Sequence, residues 1–119
     1  MNQTKSLLHP LASFEQLVRE IITINKALKV ACEMGNSDSQ IAISMKNIKT
    51  RWQVRLLRLY APERVYLQLD AEAKSDEALY GLFLREPIEG FADINHLPVR
   101  VARSMLSAEE IIKFSKCRV

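Results

Sequence analysis

The chain has 119 residues, 48% of them hydrophobic, with three glycines and four prolines, enough for one compact domain with a modest core but not for two of ordinary size. Seventeen basic against fourteen acidic residues give a net charge of +3, a bias compatible with nucleic acid but too mild to define it. Cys32 and Cys117 have neither C-x-x-C spacing nor a histidine nearby, and no apolar run approaches the ~18 to 20 residues of a membrane span, so a disulfide framework, a metal site and a signal sequence are set aside for a reduced, soluble, cytoplasmic protein.

Helix starts are marked by the pattern Ser/Thr-x-x-Glu/Gln, in which a hydroxyl accepts from the third helical amide while the third side chain reaches back. It occurs at Ser13 and Gln16, Ser37 and Gln40, Thr50 and Gln53, and Ser107 and Glu110. After Ser13, the side chains of Phe14, Leu17, Ile21, Ile24, Leu28 and Ala31 recur at three- and four-residue steps. A long amphipathic helix over residues 11–34 is expected, ended by Gly35. Val18 and Ile22 widen its stripe, which suits packing within the domain or against a second copy.

Residues 37–60 read as a helix-turn-helix. Ile41, small Ala42 and Met45 fit the inner face of a short first helix, and residues 46–49 make the turn. A second helix from Thr50 then places Trp52, Leu56, Leu59 and Tyr60 inward and Arg51, Arg55 and Arg58 together outward. A competing β-meander also fits, because Ile41, Ile43, Met45, then Trp52, Val54, Leu56, then Val65, Leu67, Leu69 all alternate. The helical reading prevails because the boxes predict where helices start and because Leu, Arg, Gln, Met and Lys outnumber β-branched residues.

In the mixed region 61–119, VYLQLD alternates as a short strand, and DEALYGLFLRE suits a helix interrupted by Gly81 or a strand. Glu86 and Pro87, then Glu89 and Gly90, mark a loop. Pro98 opens a helix through Leu106, and the box at Ser107 opens a last helix over residues 107–116, with acids first and lysines last, as the helix dipole favours. The expected fold is a single, mainly α domain centred on the helix-turn-helix, with room for a short β-hairpin; the alternative is an α+β fold with an antiparallel meander flanked by helices.

The order of long helix, Met34-Gly35, short helix with Ile41-Ala42, then IKTRWQVRLLRLY and VYLQLD, is similar to the FlhD and FlhC subunits of the flagellar master transcription activator and their relatives on mobile elements. This resemblance covers about residues 15–70. IAISMKNIKTRWQVRLLRLYAPERV also resembles, without gaps, the helix-turn-helix of ParB-like partition proteins, although Lys46 replaces the usual turn glycine and Trp52 a small aliphatic. The first resemblance implies a DNA-binding transcription regulator; from the second only the helix-turn-helix is carried over, not partition itself.

On that reading Thr50, Arg51 and Arg55 face base edges, while Lys46, Lys49 and Arg58 hold phosphates. The plainer alternative is a solvated basic face paired with neighbouring acids such as Glu63. His9 and His96 are isolated, without the carboxylate or cysteine that catalysis or metal binding needs. Asp70, Glu72, Asp76 and Glu77 lack the spacing of a calcium loop and read as a solvated connection. Cys32 reads as a small core residue. No catalytic set, cofactor or metal is expected. The expected partners are double-stranded DNA and a second copy or a second regulatory subunit, with no membrane; the competing class is a protein-interaction module whose basic face does not touch DNA.

Overall fold

The computed structural model describes residues 10–72 and 74–115; the readings of His9, Lys116 and Cys117 lie outside them. Among the described residues there are four helices and one three-stranded antiparallel sheet, 54% helix and 23% strand, so the fold is α+β and not mainly α. The chain divides into two compact units, up to Trp52 and from Gln53 on.

In the first unit, α1 (Pro10–Glu33) buries Phe14, Val18, Ile21, Ile22, Ile24 and Leu28 at helical spacing. It starts earlier than the Ser13 box predicts, at a proline, which helices accept in their first turn because no amide donor is needed there. Its end is as expected. Gly35 adopts φ 79°, and the amides of Gly35 and Asn36 bond back to the carbonyls of Cys32 and Ala31 at 3.1 and 2.7 Å, closing the helix in a left-handed cap that favours glycine. The next helix is capped by Ser39, whose Oγ accepts from the Ala42 amide at 3.1 Å, two residues later than the predicted cap at Ser37.

That helix, α2 (Gln40–Tyr60), runs unbroken for 21 residues. The predicted turn at residues 46–49 and the helix start at Thr50 do not exist, and with them goes the helix-turn-helix. The segment contains no glycine or proline to force the backbone out of the helical region, and Thr50 is a mid-helix residue. The meander over the same residues fails equally.

In the second unit, α2 buries Gln53, Val54, Leu56 and Leu57. Leu59, expected inside, is 55% exposed. Gln53 is not the partner of a helix cap: its Nε2 donates to the His96 carbonyl at 3.3 Å, while Oε1 is buried with no hydrogen-bond partner among the described residues. Three strands follow, β1 (Val65–Leu69), β2 (Leu79–Ile88) and β3 (Phe91–Pro98), paired in the order β1-β2-β3. Val65 and Leu67 lie opposite Leu84 and Leu82, and all four are buried.

The second pairing is irregular. From Gly81↔His96 to Phe83↔Asp93, β2 advances two residues and β3 three, and Asn95 takes φ 87°. This bulge lets Ile94 and Leu97, three apart, both face the core where strict alternation would turn one of them out. Glu86 and Pro87 lie in β2 and not in a loop. The pairs to β1 end at Leu84, so the amide that Pro87 lacks is not required on that side. α3 (Val99–Met105) packs on β3, and α4 (Ala108–Phe114) on β1 and on α3, burying Ala102, Leu106 and Phe114. The Ser107 box forms as read from the sequence: Ser107 Oγ accepts from the Glu110 amide and Glu110 Oε1 from the Ser107 amide, both at 3.0 Å.

On the other face of the sheet the Tyr66 and Phe83 rings stack with centroids 5.6 Å apart, and the Arg85 guanidinium lies 4.2 Å from the Tyr66 centroid. Phe83 reaches this position by lying over Gly81, where a Cβ would stand 2.7 and 2.8 Å from its ring carbons. Gly81→Ala should therefore cost about 1 to 3 kcal/mol in urea unfolding, and less in a Phe83→Leu background, because the clash is with the ring and not with the backbone.

Candidate nucleic-acid interface

Charge is concentrated on one element. α2 holds five of the seventeen basic residues and none of the fourteen acids, so the remaining chain, with twelve against fourteen, is net negative. A helix turns about 100° per residue, which brings Arg51, Arg55 and Arg58, at steps of four and three, onto one narrow stripe. All three are exposed. Arg51 and Arg55 make no hydrogen bond or ion pair with any described residue.

Arg58 is engaged. Its Nε and Nη2 donate to the two carboxylate oxygens of Glu110 at 2.9 and 3.2 Å, and Nη2 also donates to the Met105 carbonyl at 3.0 Å. Those hydrogen bonds, and next the Ser107 amide, hold the Glu110 carboxyl below the ordinary carboxylate range, while Glu110 in turn raises Arg58. The sequence identified Glu110 as a cap partner. It could not show that the same carboxylate meets an arginine 52 residues earlier in the chain.

The two lysines do not join the stripe. Lys49 precedes Arg51 by two residues and so points to nearly the opposite side of the helix, and Lys46 is also turned away. Lys46 Nζ donates to the Ser37 carbonyl at 3.4 Å. Burial holds the Lys49 ammonium below the ordinary lysine range, and the charge of Lys46 pushes it the same way. Thr50 is half-buried in the middle of the helix. Of the six residues proposed from the sequence, Arg51 and Arg55 are exposed and unengaged, Arg58 is tethered, and Lys46, Lys49 and Thr50 lie off the stripe.

His96 is not isolated. Its Nε2 lies 2.8 Å from Asp70 Oδ2, and Asp70 Oδ1 also accepts from the Glu72 amide at 3.1 Å. Only the sheet register reveals this, because Gln68 pairs with Gly81 and Gly81 with His96. The pair ties the β1–β2 connection to β3. Glu77 of the same connection binds Arg100 at 3.2 and 3.4 Å. Cys32 is exposed and not a core residue. Among the described residues no group of three or more His, Cys, Asp or Glu side chains is placed to hold a metal, and no helix is long and apolar enough to cross a membrane. No protein-family model, curated protein or solved structure matches this chain.

Two stability effects follow. Lys49 lies in a site that disfavours its charge, so Lys49→Met should raise the thermal midpoint by a few degrees at pH 7. The gain should shrink as pH rises through the depressed folded value towards 10.5, the ordinary lysine value, above which Lys49 is neutral in folded and unfolded chains alike. Glu110 has the opposite sign: its contribution is present above its ordinary value of 4.5 and is lost as pH falls through the depressed one. Unfolding followed from pH 7 to pH 2 should show a smaller acid loss in Glu110→Gln than in the wild type.

Proposed function

We propose that this chain is a non-enzymatic, DNA-binding regulator of transcription, acting in the cytoplasm, that meets the backbone of double-stranded DNA with the outward stripe of α2. The observation that carries the reading is the charge distribution: one helix of five cations and no acids in a chain otherwise net negative. Arg51 and Arg55 are the phosphate contacts. A guanidinium with all its donors free pairs well with phosphate oxygens, and the i, i+4 spacing keeps both on one side of the helix. Such contacts supply affinity without choosing a sequence.

Regulation of transcription, as the flagellar-activator resemblance implies, is part of the proposal, now without a helix-turn-helix; the ParB-like resemblance, which rested on that motif, no longer supports it. Assembly as a dimer or with a second subunit belongs to it too. Two arginines give too few contacts for useful specificity, and doubling the half-sites is the common remedy. Val30 and Met34, four residues apart at the end of α1, are 52 and 69% exposed, which supports a protein partner there. The same two side chains favour a second reading, an interaction module whose arginines remain in solvent.

Salt separates the two. Fluorescence anisotropy with a labelled duplex between 50 and 200 mM salt should give a linear log–log dependence. Arg51→Ala and Arg55→Ala should each reduce its slope by about 0.9, one phosphate's worth of released counterion. An unchanged slope in the double variant, or no retention of the duplex even at 50 mM, would sink the DNA reading.

A further inference from the structure

Arg58 shares the stripe of Arg51 and Arg55 but is held by a carboxylate from another helix. The Glu110 carboxylate presents two oxygens to Nε and Nη2, at 2.9 and 3.2 Å, the bidentate arrangement that a phosphate offers an arginine. The pair lies at the surface, with 50% of the Arg58 side chain and 31% of the Glu110 side chain exposed. An exposed ion pair of this kind is weak and exchangeable, in contrast to a buried one. Glu110 also has a second attachment, since its Oε1 accepts from the Ser107 amide at 3.0 Å in the cap of α4. Losing Arg58 therefore leaves Glu110 anchored in the cap.

We propose that Glu110 is a built-in competitor for phosphate: it occupies Arg58 in the free protein, and the DNA backbone, docking on Arg51 and Arg55, takes Arg58 over as a third contact. The inference rests on the DNA-binding reading. It assigns α4 a regulatory part in that site, setting how much affinity the third arginine adds. Arg58 keeps its bond to the Met105 carbonyl in either state, so the guanidinium is already oriented along the stripe when Glu110 lets go.

Glu110→Gln isolates the effect, because glutamine also serves at the third position of a capping box while removing the charge that competes with phosphate. In the anisotropy titration this variant should bind the duplex several-fold more tightly, with a log–log salt slope close to that of the wild type, because Arg58 meets a phosphate in both complexes. Adding Arg58→Ala to it should abolish that gain. In the wild type, the Arg58 Nε–H resonance should move when duplex is added, a readout that needs no substitution. The inference is overturned if Glu110→Gln binds no better than the wild type, or if the Arg58 resonance stays still while those of Arg51 and Arg55 shift. Either result leaves the DNA reading standing, whereas a duplex that moves none of the three resonances defeats both.

Discussion

An unbroken helix has a single phase, and the phase of α2 governs the candidate site. Ala42 and, in the second unit, Val54, Leu56 and Leu57 are buried, and removing such side chains from water outweighs any local preference of the residues between them. Once those positions face inward, Arg51, Arg55 and Arg58 must face outward, and Lys49, two residues from Arg51, must turn away from them. Lys49 bears the consequence in its depressed pKa. Gln53 is the polar member of the buried set, and its bond to the His96 carbonyl links α2 to the third strand.

The sheet obeys a second constraint. Its core face needs Ile94 and Leu97 together, although alternation along a strand would separate them. The bulge at Asn95 reconciles the two by spending one extra residue of β3. The same register sets His96 beside Asp70 and fastens the acidic connection. On the opposite face, the missing side chain of Gly81 lets Phe83 lie flat and reach Tyr66. In each case a single backbone adjustment decides which side chains meet.

Electrostatics on the stripe are graded. Two arginines are open, while the third is shared with a carboxylate that also caps α4. Because Glu110 is held at once by Ser107 and Arg58, helix capping and the charge presented by α2 are coupled through one side chain. The coupling is weak at any one contact, as surface ion pairs are. It acts where added phosphate affinity would come from a few such contacts.

Interactions that reach no further than a turn or a short strand were legible in the sequence. The left-handed cap at Gly35, the box at Ser107 and Glu110, the strand at VYLQLD and the arginine stripe each follow from neighbours within a few residues. The boxes at Ser37 and Thr50 misled because a hydroxyl three residues before a glutamine is compatible with a helix start but does not require one; Ser39 provides the cap, and Thr50 lies within α2. Tertiary structure alone decided whether residues 40–60 bend, whether residues 79–98 form strands, and which charges find partners. Strand pairing, the Asp70–His96 contact and the grip of Glu110 on Arg58 join residues far apart in the chain, and a contact that spans such a loop leaves no local periodicity to read.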